Sequence, residues 1–473
     1  MIFDFLRNLH NLIVAIIAWL RNPSIRLLPS STDDAPSSSA APERNVPDAR
    51  PVEVSRVTMT EIVTPTHADT RGFIYGGEVI GWIDLAAGIS AKKHAVYPCV
   101  TRSVDAVHFM HPIKVGDLLV IQASVNRAWN TSMEVGVRVE TENPLTGKRK
   151  YCCHAYLTFV ALLPSVSATP SSLSAILLRY RTETVRVPKI NTTTAIEVQR
   201  HAKAEERRQA RISSSKITDA RGRREQTKLA ELRELMREWS KTTNVESMSS
   251  AEVPPLIPEE MIEEISSETN ENEENEEKKD PARLFLRRKS TFSGNLPEQP
   301  REKLMRESFA EVVETVLPQH ANTLQITFGG QIMKWMEQCS LISATRHARR
   351  FLLLASIDSL QFLRPAYVGD CVTVRSIVSC TFHSSLEVYV TVEAENLFTG
   401  ERYFTNDGFV TMVAVDFTNN PTPVPRAIPQ QAEEFAIREN AEERRRRRLW
   451  QRRELVQKEL STSPDEFIKF AEQ

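Results

Sequence analysis

The chain has 473 residues, a formal net charge of −1 and 41% hydrophobic residues. The length allows two to four domains of ordinary size, and the balanced charge argues neither for nor against nucleic acid as a partner. No run reaches the ~20 apolar residues that a membrane span needs. The six cysteines, Cys99, Cys152, Cys153, Cys339, Cys371 and Cys380, form no CxxC pair. Most sit in or beside apolar runs, which points to free thiols in a reducing compartment and away from a disulfide framework or a metal site.

In chain order, residues 1–28 come first. Leu12 to Leu20 is apolar and flanked by Arg7, Arg21 and Arg26, the pattern of a targeting or anchoring segment able to touch a membrane. Residues 29–54 are rich in Ser, Ala and Pro and read as a flexible linker. A first folded module is expected over 55–165. It opens with a strand, Arg56–Val63, then a loop ending in Gly76-Gly77. A long helix follows from Gly77 to Ala95, with Lys92 and Lys93 in the last turn where the dipole favours cations. Strands are expected at Val100–Met110, Leu118–Ala128, Ser132–Glu142 and Tyr151–Leu162, with turns at Gly116-Asp117 and Thr146-Gly147.

Residues 166–305 read as a charged linker, partly helical and partly disordered. Leu229, Leu232, Leu235, Met236 and Trp239 recur at helical spacing and predict an amphipathic helix that docks on a domain or partner. The stretch 258–279 is acidic, and Glu263–Lys279 within it has too little apolar content to fold. A second module, 306–418, repeats the first. A shift of 253 positions lays 61–161 over 314–414 without a gap, putting Pro65 on Pro318, His67 on His320, Trp82 on Trp335, His94 on His347 and Gly116 on Gly369. Residues 419–473 form a basic helical tail.

A strand, one long helix and a four-strand meander give an antiparallel sheet that must curl around the helix to bury it. This is the outline of the hotdog architecture. The expected class is therefore α+β, with two hotdog domains joined by a long charged linker and paired face to face within one chain.

On a helical wheel, Gly77, Gly81, Asp84, Gly88 and Ala91 share one stripe. Interior glycine costs ~1 kcal/mol relative to alanine, so the stripe needs a reason. Close packing of the twin helix is one. A slot where substrate passes the helix and meets the Asp84 carboxylate is another. Asp84 is then a general base or nucleophile, and the free N–H groups at a Gly-Gly helix start suit a developing oxyanion. His94 and His347 read as dipole partners or packing residues first. No GxSxG elbow, P-loop or HExxH motif is present.

The motifs WIDLAAGISAKKHA, CVTRSVDAVHF and SMEVGVRV in the first copy, and VLPQHAN, FGGQIMKWME, SIDSLQF and AENLFTG in the second, resemble the tandem-hotdog acyl-coenzyme A thioesterases. The subgroup most resembled adds a C-terminal START domain. That domain is not expected here, since only 57 residues follow Asp416. A basic AEERR segment, Ala204–Arg208, recurs at Ala441–Arg445, so each domain is expected to carry the same helix behind it.

The resemblance implies hydrolysis of fatty acyl-CoA to free fatty acid and coenzyme A, without a cofactor or metal. It implies a catalytic Asp84 facing Gly329 and Gly330 of the other domain, and substrate contact along Gly77, Gly81 and Gly88. Arg346, Arg349 and Arg350 are expected to hold coenzyme A phosphates. Homo-oligomerisation as a trimer and a cytoplasmic or alternatively mitochondrial location also follow. No nucleic-acid partner is implied. The family's catalytic Asn is expected just before the Gly-Gly helix start, where this chain has Ile326, with Gln325 beside it as a substitute. Loss of one positioned donor costs ~10²–10³ in rate, so the resemblance predicts a slow enzyme. The alternatives are a non-catalytic acyl-CoA-binding or scaffold protein and, less well matched, a hotdog hydratase.

Overall fold

The computed structural model describes residues 47–164, 182–216, 220–246 and 300–461. The expected targeting or anchoring segment 1–28, most of the linker 29–54 and the acidic stretch 258–279 lie outside the described residues.

The first repeat contains β1 (Ala49–Pro51), β2 (Val57–Ile62), α1 (Gly76–Ala95), β3 (Cys99–Val104), β4 (Val107–His108), β5 (Leu118–Ala128), β6 (Ser132–Glu142), β7 (Arg149–Pro164), β8 (Thr182–Thr184) and β9 (Lys189–Asn191). Helices α2 (Ala195–Lys216) and α3 (Ala220–Glu246) follow. The second repeat contains β10 (Glu302–Leu304), β11 (Ala310–Thr315), α4 (Gly329–Ala348), β12 (Phe351–Ile357), β13 (Leu360–Gln361), β14 (Asp370–Thr381), β15 (Ser385–Asn396), β16 (Arg402–Val415) and β17 (Arg426–Ile428), then α5 (Ala432–Glu439) and α6 (Ala441–Ser461).

In the first repeat the antiparallel path β3-β7-β6-β5-β2 wraps α1, and in the second β12-β16-β15-β14-β11 wraps α4. Val79, Ile80, Ile83, Ala86, Ala87 and Ala91 bury the apolar side of α1 against the concave sheet. The expected strands at Leu118–Ala128 and Ser132–Glu142 have the observed limits.

The single strand expected at Val100–Met110 is two strands. The chain leaves the first sheet at Asp105, and β4 pairs with Ser356 and Ile357 of the second sheet. Its twin β13 pairs with Ser103 and Val104 of the first. Each repeat thus lends two residues to the other's sheet edge, a reciprocal exchange that joins the modules about a pseudo-two-fold axis and caps two exposed edges.

The repeat is also longer than its sequence signal. β1 pairs in parallel with β9, and β10 with β17, in ranges read as linker or tail. Three-residue ladders are too short to show a period in the sequence. His94 and His347 sit beneath them. Each ring Nε2 donates to a carbonyl, that of Pro188 at 2.9 Å and that of Pro425 at 3.0 Å.

The linker helix α3 docks on the outer face of the second sheet. Leu232, Met236 and Trp239 are buried there, the Trp239 ring meets Phe309 edge-on, and Arg233 pairs with Asp407. The two AEERR helices lie on equivalent surfaces. Arg207 and Arg211 of α2 grip Glu134, and Arg211 also reaches Asp105. Arg444 and Arg448 of α6 grip Glu387, and Arg448 also reaches Asp358. All six cysteines are free thiols, and five of them are buried. Among the described residues no helix is long and apolar enough to cross a membrane.

Candidate active site

Helices α1 and α4 cross antiparallel at the seam between the modules. Contact is so close that side chains are excluded. A Cβ on Gly330 would lie 2.9 Å from the Gly81 Cα and 2.8 Å from the Asp84 Cβ, and one on Gly77 would lie 3.0 Å from the Lys334 Cα. Backbone packing thus accounts for Gly77 and Gly330, whereas a Cβ on Gly81 would meet nothing within 4 Å and one on Gly88 only the Phe159 ring at 3.7 Å.

The same crossing seats Asp84 on the tip of α4. Its side chain is only 2% exposed. Oδ2 accepts the Gly330 N–H at 2.9 Å, and Oδ1 accepts the Thr101 hydroxyl at 2.7 Å. Burial pushes the carboxyl above the usual aspartate range, while these two hydrogen bonds and the nearby Lys92 charge pull back. Gly330 N–H is one of the helix-start donors without an intrahelical acceptor, so the carboxylate sits on the positive end of the dipole.

Asp84 lines a small, partly open cavity. Its polar lining is Asp84, Lys92, Thr101, Asn322 and Thr327; Leu85, Gly88, Ile89, Cys99, Val100, Phe159 and Phe328 make the apolar wall. Asn322 is held by its own turn. Its Oδ1 accepts the N–H of Leu324 at 2.9 Å and of Ile326 at 3.2 Å, which leaves the amide NH2 as the end available to the cavity. A buried carboxylate, a hydroxyl, a fixed amide donor and an ammonium thus line one apolar slot, the composition of a small-molecule site.

The family described as "Thioesterase superfamily" matches residues 71–148 and 324–397. The uncharacterized acyl-CoA thioester hydrolase YkhA of Bacillus subtilis is 38% identical over 147 residues, covering 31% of this chain and 86% of that protein. The chain belongs to the thioesterase superfamily. Mouse acyl-coenzyme A thioesterase 11 is 30% identical over 381 residues, 80% of this chain and 50% of the relative. The chain therefore spans about half the length of that curated relative. The crystal structure of an acyl-CoA hydrolase from Bacillus cereus is 36% identical, covers 34% of this chain and 99% of its own, and has a TM-score of 0.33. The two hotdog modules expected from the repeat are those of this superfamily.

Within the thioesterase pair, the structure brings together Asp84, Gly330 and Gly88 and separates several other expected residues. Gly77 and Gly81 lie at the helix crossing and do not line the cavity. Gly329 adjoins the lining residue Phe328, and a Cβ there would meet Thr101 at 2.9 Å. Gln325 is exposed, with a left-handed φ of 59°, and does not reach the cavity.

Ile326 corrects the sequence expectation most sharply. It is 4% exposed, packed with Leu162 and Leu324 in a separate apolar cluster, and its backbone bridges to Tyr367. The cavity-facing amide stands four residues earlier, at Asn322, the last residue of the VLPQHAN motif. The sequence reading quoted that motif but named Ile326 and Gln325, neither of which lines the cavity.

Arg346, Arg349 and Arg350 stand at the C-terminal end of α4 and do not line the cavity. The antiparallel crossing carries that end away from Asp84. Arg346 instead donates to the Phe309 carbonyl. Lys92 is the lining cation. It follows Gly88 by one helical turn on the glycine stripe, a spacing that could have identified it.

The pseudo-equivalent second seam is built differently. Glu337, the twin of Asp84, accepts the Gly76 N–H at 3.1 Å and also bonds Gly77. Burial pushes its carboxyl up to about 7. Leu354 replaces Thr101, and Asp69 replaces Asn322 with Arg71 paired to it at 2.8 Å. Lys334 bridges to Glu78. Phe73, the twin of Ile326, is buried.

Proposed function

We propose that the chain hydrolyses acyl-coenzyme A thioesters to a free carboxylic acid and coenzyme A at the Asp84 seam. The observation that carries this reading is one cavity lined by a buried Asp84, seated on the α4 tip, together with Asn322 and Thr101. Asp84 takes a proton from water as the water oxygen adds to the thioester carbon. The Asn322 amide donates to the carbonyl oxygen as it gains charge, with the Gly329 N–H at the start of α4 as the second donor of this reading. Collapse of the tetrahedral intermediate breaks the carbon–sulfur bond, and the proton on Asp84 passes to the leaving thiolate. Thr101 fixes the carboxylate orientation. Lys92 is the cation available for a coenzyme A phosphate, in place of the three arginines expected from sequence.

Asn322 removes the ground for expecting a slow enzyme. The non-catalytic reading rested on Ile326 and on the long charged linker, and Asn322 takes away the first of these supports. Self-association as a trimer, implied by the resemblance, stays part of the proposal. The twin hairpin tips support it, since they expose Leu145 at 93% and Phe398 at 74%, and sedimentation velocity tests it. Thiol release from a panel of acyl-CoAs tests the catalytic reading. Asp84→Ala should lose at least ~10²-fold in kcat. Equal rates for wild type and variant would end the proposal.

A further inference from the structure

Helices α2 and α6 are equivalent elements of the two repeats, and their inner faces match residue for residue. Arg207 and Arg211 answer to Arg444 and Arg448, and the carboxylates they hold, Glu134 and Asp105, answer to Glu387 and Asp358. Their outer faces do not match. The positions in α2 equivalent to Arg446, Arg447 and Trp450 are Gln209, Ala210 and Ser213. A fold that needs only the inner face would not distinguish the two helices in this way.

Opposite the buried Arg444 and Arg448, α6 presents Arg446, Trp450 and Arg453 at i, i+4 and i+7, with Leu449 and Val456 along one flank. Trp450 is 64% exposed, Leu449 44% and Val456 43%. Among the described residues, Arg446, Arg452 and Arg453 make no ion pair with a carboxylate, while Arg447 stands 3.8 Å from Asp358. This face therefore combines unpaired cations with an indole and aliphatic side chains.

We propose that the outer face of α6 docks on an anionic lipid bilayer, with the helix lying along the surface. Arginines attract acidic headgroups. A tryptophan ring, apolar in body and polar at its N–H, favours the headgroup boundary, and Leu449 and Val456 add shallow apolar burial. An exposed helix face of arginines, an indole and aliphatic side chains has the composition of helices that lie on anionic membrane surfaces. Docking here would bring the enzyme to the surface where amphiphilic acyl chains collect. It does not depend on which thioester is cleaved.

Co-sedimentation of the full-length chain with phosphatidylcholine vesicles, with and without phosphatidylserine, tests the proposal. Binding should require phosphatidylserine and weaken as salt rises. Each arginine removed should cost about fivefold in partitioning, so Arg446→Glu/Arg453→Glu should lose well over tenfold. Trp450→Ser, which copies the residue of α2, should also weaken binding. Thiol release and thermal unfolding should be unchanged in these variants, because none touches the cavity or the Glu387 network. Equal binding to neutral and acidic vesicles would overturn the proposal, as would wild-type binding by the double variant. Vesicle binding that emerges only after glutamates of 258–279 are changed to glutamine would assign the face to that acidic stretch and overturn it equally.

Discussion

Asp84 and its twin Glu337 differ by one methylene, and that length decides which backbone donors remain at each helix tip. Glu337 reaches both Gly76 and Gly77. Asp84 reaches Gly330, and among the described residues the Gly329 N–H has no acceptor. The amide position follows the same logic. Asn322 is set by two backbone N–H groups, while Ile326 is packed away. Asn322→Ala should lower kcat by about 10²–10³. Ile326→Asn should restore nothing and instead cost about 1–3 kcal/mol of stability in urea, since it buries an amide among aliphatic side chains. A rise in thiol release for Ile326→Asn would put the catalytic amide back where the sequence suggested. The pH profile should follow Asp84. Its carboxyl must be ionised to act as base and burial raises its titration, so activity should fall on acidification at a pH above the usual aspartate range.

At the scale of elements, the duplicated helix-on-sheet clamps and the duplicated histidines hold the modules. Arg444 lies against Glu387, which is fully buried. Arg444→Ala should cost about 3 kcal/mol or more in equilibrium unfolding, because it leaves a buried carboxylate with only Arg448 and the Ser379 hydroxyl. His94 and His347 each donate Nε2–H to a proline carbonyl while the buried Nδ1 has no partner. Protonation would place a charged N–H where nothing accepts it, and burial lowers His347 to about 4. The folded state thus holds this group neutral. Its stabilising effect is complete above the ordinary histidine range and is lost as pH falls toward about 4, a change on the order of 3 kcal/mol. Thermal unfolding followed from neutral pH downward should show this loss, and His347→Gln should flatten the profile. A single-residue change at the crossing acts on both modules at once. Gly330→Ala should part α1 from α4 and lower both stability and thiol release, since its Cβ has no space.

Across the whole molecule, two modules that share a backbone have diverged at their seams. Thr101, Asn322 and a short Asp84 leave one seam open. Leu354, Asp69 with Arg71, and a longer Glu337 stand at the equivalent positions of the other. Glu337→Gln should therefore leave thiol release nearly unchanged. Much of this organisation was legible in the sequence, because turn glycines and prolines repeat in register and because the Gly77–Gly81–Asp84–Gly88 stripe marks the helix face that meets the twin helix at Gly77 and the cavity at Gly88. The rest depends on geometry that sequence spacing does not carry. The exchanged strands β4 and β13 are two residues long, the direction in which α4 crosses α1 decides where Arg346 falls, and a turn closed by the Gln325 N–H on the Asn322 carbonyl separates Asn322 from Ile326. The most direct test is a crystal structure with a non-hydrolysable thioether analogue of acyl-CoA. The account predicts one molecule per chain, its reacting carbon beside Asp84 and its carbonyl oxygen within hydrogen-bond reach of the Asn322 amide. An analogue seated beside Glu337, or one at the Asp84 seam whose carbonyl faces Ile326 and not Asn322, would contradict it.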